Sequence, residues 1–237
     1  MEKVIQIKDA FNKIDLILND KQAEQFLRYY ELLIQKNKVM NLTSITEFDD
    51  VVLKHFLDSL MICKIQKLEG SLIDVGTGAG FPGIPLKIMY PDLKVVLLDS
   101  LNKRVQFLNE VVRELGLENI KAIHGRAEDL AKQKIYREQF DYCVSRAVAN
   151  LSSLAEYCIP FVKIGGYFIP YKSGKIQEEL DGGKKAINIL GGTVEIVKEF
   201  ELPQTDIFRC LLYIRKIENS PQKYPRKAGM PTKEPIH

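Results

Sequence analysis

The stretch 72-LIDVGTGAGFPGIPL-86 decides the fold. Its first four residues form a short apolar run that predicts a buried strand, and three glycines follow at alternate positions, Gly76, Gly78 and Gly80. Glycine permits positive φ and places no Cβ in the way of a bound molecule. One glycine is enough for a tight turn between a strand and a helix. The repeated glycines therefore indicate that the backbone comes close to a ligand at the end of this strand.

The chain after this point alternates apolar runs with segments long enough for helices. The runs predict strands over 72–75, 94–99, 121–125, 140–145, 166–171, 193–202 and 208–217. The last two runs are too close together to be joined by a crossover helix, so they should form an antiparallel hairpin. The pattern predicts an α/β fold with a doubly wound, Rossmann-like sheet of seven strands and one antiparallel edge strand. Such sheets bind ligands outside the carboxyl ends of their strands.

The residues before the sheet have helical periodicity. A helix is predicted over 20–38 with Asp20 as its N-cap, and a second over 48–63. On the second helix, Lys54, His55, Asp58 and Ser59 fall on the side opposite the apolar one. We expect this polar side to face a substrate or to join two parts of the chain, rather than to carry acid–base catalysis. The chain is thus divided into a helical region over 1–68 that packs on the core, a sheet domain over 69–217 and a tail over 218–237.

The composition is that of an ordinary globular protein, with 237 residues, 46% of them hydrophobic and 27% charged. The first residues carry charges throughout and lack the apolar core of a secretory signal, and no window reaches the length of a membrane span. The four cysteines and three histidines lack the spacing of a metal site. We expect a cytoplasmic monomer with no membrane segment and no metal.

Two nucleotide-binding motifs are possible interpretations of the glycine stretch. A Walker loop is disfavoured because no Gly-Lys-Ser or Gly-Lys-Thr follows. A dinucleotide motif, G-x-G-x-x-G, can be read from Gly78, with Asp99 about 20 residues further on at the end of the next strand. Its first glycine should directly follow the strand, however, and that residue is Gly76. Read from Gly76, the sixth position is Phe81, and the motif fails.

The pattern that fits in register is an acid, an apolar residue and then G-x-G-x-G, starting at Asp74. It resembles the first motif of class I S-adenosylmethionine-dependent methyltransferases. The loop would then wrap a methionine moiety and a sulfonium rather than an anion. Asp74 suits a positively charged methyl donor, and Asp99 would accept hydrogen bonds from both ribose hydroxyls.

Seven segments extend the resemblance over most of the chain. In order they are NLTSI, KHFLDSL, DVGTGAGFPGIPL, LLDSLNKR, GRAE, VSRAVA and KYPRKAG. Together they resemble the small-subunit ribosomal RNA guanine-N7 methyltransferases, formerly called glucose-inhibited division protein B. The resemblance implies methylation of N7 of a single guanine, guanine 527 in the 530 loop of 16S rRNA, with S-adenosylmethionine as cofactor. The partner would be 16S rRNA, in the small ribosomal subunit or its precursor.

The resemblance also implies site residues. The family's cofactor contacts fall on Gly76, Phe81, Ala127, Glu128 and Arg146. Arg146 and Lys172 are candidates to position the base or a phosphate, and no general base is expected, because guanine N7 carries a free lone pair. Two alternatives stay open: a class I methyltransferase acting on another RNA, a protein or a small molecule, and a non-catalytic binder with the same scaffold.

The tail is the best local indication of RNA binding. From Ile214 to the end, six basic residues stand against two acids, whereas the rest of the chain has 28 basic residues against 29 acids. Four prolines in this segment predict an extended chain. The expected phosphate contacts and stacking ring are Lys223, Tyr224, Arg226 and Lys227.

Overall fold

The computed structural model describes residues 1–146, 149–174 and 176–236. Two residues of the VSRAVA segment, Ala147 and Val148, lie outside the described residues, as does His237 at the end of the predicted tail.

A seven-stranded sheet forms the centre of the molecule. Its strands are β1 Ser71–Val75, β2 Lys94–Asp99, β3 Ile120–His124, β4 Phe140–Ser145, β5 Val162–Ser173, β6 Gly192–Glu201 and β7 Phe208–Lys216. They lie in the order β3-β2-β1-β4-β5-β7-β6. The first five strands pair in parallel, and β7 is antiparallel to both of its neighbours. The predicted fold class is confirmed, and the bounds of β2 and β4 match the prediction residue by residue.

The reversed strand does not lie at the edge of the sheet, where it was expected. β7 lies between β5 and β6, and β6 is the edge strand. The reason is burial: residues 210–214 of β7, CLLYI, are buried, whereas β6 carries charged residues and is exposed over most of its length. A charged strand suits an edge, where its free side can face water without recruiting another strand.

Ten α-helices and three other helical segments surround the sheet in the described part of the chain. The α-helices are α1 Glu2–Asn12, α2 Asp20–Met40, α3 Phe48–Val51, α4 Asp58–Leu60, α5 Gly83–Met89, α6 Asn102–Glu114, α7 Ala127–Leu130, α8 Leu151–Cys158, α9 Gln177–Ile189 and α10 Met230–Lys233. A π-helical segment spans Val52–Leu57, and 3-10 turns span Met61–Lys64 and Ile159–Phe161. The N-terminal helices share one hydrophobic core with α5, α6 and one face of the sheet, and α8 and α9 share a second core with the other face.

The N-cap of α2 is Asn19 rather than the predicted Asp20. The Asn19 side chain accepts a hydrogen bond from the backbone N–H of Gln22 at 2.9 Å, and the Gln22 side chain accepts one from the Asn19 N–H at 3.0 Å. This reciprocal pair is a capping box, which satisfies two otherwise free N–H groups at once.

The helix predicted over 48–63 contains a π-helical segment, and this changes which residues are buried. A π-helical turn adds one residue relative to an α-helix, so it rotates the following residues by about 100° around the axis. Asp58 and Ser59, expected on an exposed polar side, are only 2% and 0% exposed. Asp58 binds Arg209 of β7, and the backbone carbonyl of Ser59 accepts from the Tyr171 hydroxyl of β5, so both residues lie against the sheet.

In the part of the chain that the structure describes, no helix is both long and apolar enough to cross a membrane. No group of three or more histidine, cysteine, aspartate or glutamate side chains is placed there to hold a metal ion.

Candidate functional site

The glycine stretch forms a loop fastened to the neighbouring strand. The backbone N–H groups of Gly76 and Thr77 donate to the carbonyl oxygen of Leu98, the penultimate residue of β2, at 2.9 and 3.2 Å. The N–H of Gly78 donates to the Asp99 carboxylate at 2.9 Å. All three alternating glycines have positive φ, at 73°, 62° and 107° in chain order. The path of this loop therefore requires glycine at each of the three positions.

The glycines of this loop face different surroundings. A Cβ added to Gly78 would meet no atom of the described residues within 4 Å. A Cβ at Gly80 would instead lie 2.6 Å from the Tyr29 hydroxyl oxygen and 2.5 Å from a side-chain carbon of Ile84. The Tyr29 hydroxyl donates to the carbonyl oxygen of Ala79 at 2.6 Å. Gly80 thus makes room for helix α2, and its predicted cofactor contact stays a prediction.

Asp74 lies beneath the loop and is fully buried. One carboxylate oxygen accepts hydrogen bonds from the Thr77 hydroxyl at 2.6 Å and the Gly83 N–H at 2.8 Å, and the other has no partner among the described residues. Burial raises the pKa of this carboxyl to about 7, against the opposing effect of the two hydrogen bonds. Asp74 was expected to face the methyl donor, but it ties the start of the loop to the start of α5.

A first cavity of about 350 Å³ opens beside this loop, outside the carboxyl ends of β1 and β2. Four of the predicted cofactor residues line it: Gly76, Asp99, Ala127 and Glu128. These residues could be predicted from the sequence because they lie at or shortly after the ends of three successive strands. Ser145, Tyr157 and Gly229 also line the cavity and were not predicted. Gly229 lies about one hundred residues from Glu128 in the chain. It ends the KYPRKAG segment, in which only Lys223, Tyr224, Arg226 and Lys227 were given a predicted role.

Asp99 supplies the polar group at the centre of the first cavity. Its side chain is 2% exposed, and its two oxygens accept the N–H groups of Gly78 and Leu101, each at 2.9 Å. A carboxylate oxygen can accept more than one hydrogen bond, so both oxygens keep capacity for a ligand. With apolar walls at Leu98 and Ala127, the cavity fits a nucleoside whose ribose hydroxyls donate to Asp99.

A second cavity of about 750 Å³ adjoins the first, and Ala149 lines both. Four basic side chains line the second cavity, against two acidic ones: Lys54, Arg146, Lys172 and Arg209, with Asp58 and Glu179. Such a surplus of positive charge favours an anionic ligand.

Arg146 lies in the second cavity, although the sequence also suggested it as a cofactor contact. Its guanidinium donates to the Asp58 carboxylate at 3.2 Å and to the backbone carbonyl of Lys54 at 3.3 Å. Asp58 also binds Arg209, at 3.1 Å, so one buried carboxylate holds two arginines. The preceding residue, Ser145, lines the first cavity and donates to the carbonyl oxygen of Val75 at 2.8 Å. The end of β4 therefore separates the two cavities.

Phe81 and His55 pack against this arginine. Their rings are stacked with centroids 4.5 Å apart, and the Arg146 guanidinium lies 5.0 Å from the Phe81 centroid. Phe81 is buried and does not line the first cavity, so it packs the site rather than lining the cofactor cavity. Burial, and then the charge of Arg146, lower the pKa of His55 to about 4. A neutral imidazole of such low basicity is a poor proton acceptor.

Lys172 lies where β5 meets the second cavity. Its side chain is 7% exposed, forms an ion pair with Glu179 and donates to the backbone carbonyl of Ala149 at 2.6 Å. Lys172 thus fixes Ala149, the residue that lines both cavities.

The tail packs against the body of the protein. The predicted stacking ring, Tyr224, is 9% exposed, and Arg226 is paired with the buried Glu156 at 2.7 Å. Neither is free to contact RNA as predicted, whereas Lys223 and Lys227 are exposed. The tail also contains α10, a helical turn that the prediction of an extended chain missed. Pro231 lies in its first turn, where the missing N–H costs nothing.

Comparison with known proteins agrees with this geometry. The family model described as rRNA small subunit methyltransferase G matches residues 22–208. Two proteins named ribosomal RNA small subunit methyltransferase G are similar over nearly the whole chain. The one from Alkaliphilus metalliredigens is 53% identical over 238 residues, covering 100% of both chains. The one from Lachnoclostridium phytofermentans is 57% identical over 229 residues, covering 96% of this chain and 95% of the relative.

Solved structures show the same fold at low sequence identity. A crystal structure of a SAM-dependent methyltransferase from Aquifex aeolicus aligns with a TM-score of 0.53 and 21% identity, covering 70% of this chain and 93% of the other. The sheet order, the loop after β1 and these alignments agree on the class I methyltransferase fold. By its family match and its full-length relatives, the chain belongs to the rRNA small subunit methyltransferase G family.

Proposed function

We propose that the protein transfers a methyl group from S-adenosylmethionine to N7 of one guanine in 16S rRNA, guanine 527 in the 530 loop. Family membership supports the reaction class and the RNA. The observation that carries the proposal is the pair of adjoining cavities, one suited to a nucleoside and one to an anion, with Ala149 in the wall of both. A methyl donor and an RNA base bound in them would meet at this boundary.

In the first cavity, Asp99 would accept the ribose hydroxyls, and Gly76 would let the donor approach the loop closely. S-adenosylmethionine supplies a methyl group on a positively charged sulfonium. Asp74 acts indirectly in this scheme, because it holds Thr77 and Gly83 and thereby fixes the loop.

In the second cavity, the basic side chains would hold the RNA. Arg146 is fixed by Asp58 and has little freedom to move, so it can align a base or a phosphate. Lys172 keeps the boundary residue Ala149 in place. Lys54 and Arg209 add positive charge on two further sides of the same cavity. The ribosomal substrate places the reaction in the cytoplasm, and we expect the protein to act as a monomer.

The chemistry requires alignment more than proton transfer. Guanine N7 carries a lone pair and no proton, so displacement at the methyl carbon needs no base. Positioning two reactants can supply on the order of 7–11 kcal/mol of the barrier. The neutral state of His55 agrees with a site that moves no proton, since its pKa of about 4 makes it a weak base.

The test is methyl transfer to small ribosomal subunits from cells that lack the modification. We expect the protein and labelled S-adenosylmethionine to produce one 7-methylguanosine per subunit, located by reduction and aniline cleavage of the RNA at guanine 527. Asp99→Asn should abolish transfer, whereas Asp92→Asn, an exposed acid at the other end of β2, should leave it unchanged. Methyl groups found on another atom, another nucleotide or a ribosomal protein would contradict the proposal.

A further inference from the structure

The segment 220–236, here called the C-terminal strap, follows β7 and runs back along α8. Several polar contacts fasten it. Arg137 donates to the carbonyl oxygens of Ser220 at 2.7 Å and Tyr224 at 2.8 Å. Further along, the hydroxyls of Ser152 and Ser153 on α8 donate to the carbonyl oxygens of Ile236 at 2.8 Å and Pro231 at 2.7 Å. These bonds engage the backbone of the strap, so they fix its path.

The strongest of these contacts is a buried ion pair. Glu156 on α8 is 0% exposed and accepts four hydrogen bonds from Arg226, one from its backbone N–H at 2.7 Å and three from its guanidinium at 2.7–3.1 Å. A bidentate guanidinium–carboxylate pair of this kind has defined geometry. The basic charge that suggested an RNA contact is used here to attach the strap to the protein.

The strap then reaches the first cavity. Gly229 lines this cavity, and its N–H donates to the Glu128 carboxylate at 3.0 Å. Gly229 has φ of 82°, and a Cβ added there would meet no atom within 4 Å. Thr232 contacts Tyr157, a second wall residue, through their hydroxyl oxygens at 2.8 Å. One side of the cavity is thus built from residues of the strap and from side chains that the strap holds.

The position of Asp99 shows which part of a nucleoside this side would meet. A carboxylate at the end of the second strand of such a sheet accepts the ribose hydroxyls. Beyond Asp99, the cavity continues to Ala127, Glu128 and Gly229. With the ribose at Asp99, this part of the cavity is left for the base.

We infer that the C-terminal strap is part of the cofactor site, and that Gly229 and the Glu128 carboxylate it engages enclose the adenine of the bound methyl donor. The inference rests on the proposed function, because it takes S-adenosylmethionine as the ligand of the first cavity. The strap lies outside the sheet and outside the residues matched by the family model. It nevertheless contributes directly to cofactor affinity.

Two glycines of nearly equal conformation provide the test. Gly165, near the start of β5 at the opposite end of the sheet, has φ of 86° and also has no atom within 4 Å of an added Cβ. Gly229→Ala and Gly165→Ala therefore impose the same backbone strain, and only the first introduces a methyl group at the first cavity. The affinity of the full-length protein for S-adenosylhomocysteine is measured by calorimetry, and thermal unfolding of both variants is followed in parallel.

We expect Gly229→Ala to weaken binding about tenfold or more while Gly165→Ala binds like the wild type, with similar losses in melting temperature. Equal affinities for the two variants would overturn the inference and leave the proposed function intact. If the wild-type protein did not bind S-adenosylhomocysteine, S-adenosylmethionine would be refuted as the cofactor, and the proposed function with it. If Gly229→Ala fails to fold, hydrogen exchange in the wild type decides, since added S-adenosylhomocysteine should protect backbone amides of 224–236. Unchanged exchange in that segment would refute its role.

Discussion

His55 offers a quantitative test of the site's electrostatics. Its Nδ1 lies 3.2 Å from a guanidinium nitrogen of Arg146, and its Nε2 lies 2.8 Å from the Thr43 hydroxyl oxygen. A guanidinium can only donate, so Nδ1 must accept, and the proton of the neutral ring must be on Nε2. Protonating Nδ1 would place an N–H against a positive charge in a buried site. Burial of the ring is the largest cause that lowers the His55 pKa to about 4, and the charge of Arg146 is the second.

The sign and size of the effect follow from proton linkage. In the unfolded chain His55 titrates near its ordinary value of 6.5, so the unfolded state takes up a proton first as the pH falls. The contribution of His55 to the free energy of unfolding is therefore complete above pH 6.5 and is lost as the pH falls towards 4. Between about pH 7.5 and about pH 4.5 the loss should be about 2.5 kcal/mol.

The assay is urea unfolding of the wild type and of His55→Gln at these two pH values. The difference between the two proteins is needed, because Asp74, with a raised pKa, contributes pH dependence of the opposite sign in the same range. We expect the wild type to lose about 2.5 kcal/mol more than His55→Gln on acidification. The exposed His124 provides His124→Gln as a control for loss of a histidine. Equal pH dependence in the wild type and His55→Gln would refute the reasoning.

Three further predictions concern buried contacts. Between about pH 4 and about pH 8 the wild type should lose about 4 kcal/mol of its free energy of unfolding through ionisation of the buried Asp74, whose pKa is about 7, and Asp74→Asn should not show this loss in urea unfolding. Gly80→Ala should lower the free energy of unfolding by about 3 kcal/mol, since its Cβ would overlap the Tyr29 hydroxyl at a φ of 107°; an unchanged urea midpoint would contradict this. Arg226→Met should cost about 3–5 kcal/mol because it leaves the Glu156 charge buried and unpaired. That loss should be restored in part by the double variant with Glu156→Gln, as measured by thermal and urea unfolding.

The central strands of the sheet were predictable because they are buried. β1, β2 and β4 are buried over nearly their whole length and produce short continuous apolar runs, and β2 and β4 were predicted to the residue for this reason. β5 starts four residues before its prediction, at Val162, because residues 163–165 are exposed and Lys163 and Gly165 interrupt the apolar run. The loop after β1 was predictable because positive φ requires glycine there.

The remaining features depend on contacts between distant parts of the chain, which local patterns do not encode. The contact between Gly80 and Tyr29 spans about fifty residues, so the sequence around Gly80 does not reveal it. Glu156 lies in a segment with an ordinary helical pattern, and its partner Arg226 is distant in the chain. The local pattern therefore does not show that Glu156 is buried in an ion pair. A basic residue in a proline-rich tail has the same sequence signal whether it contacts RNA or a buried carboxylate. Only the structure separates these two roles.

The π-helical segment explains why Arg146 is held where it is. In an α-helix each interior carbonyl accepts the N–H four residues later, which leaves little capacity for a side chain. A π-helical turn shifts this pattern and frees acceptors, and such turns are frequent at functional sites. Here the carbonyl of Lys54, within the π-helical segment, accepts from Arg146, and the same turn brings Asp58 inward to the same guanidinium. The N-terminal helices therefore form one wall of the second cavity and fix its arginine, and a guanidinium held from several sides positions a ligand without exchanging a proton.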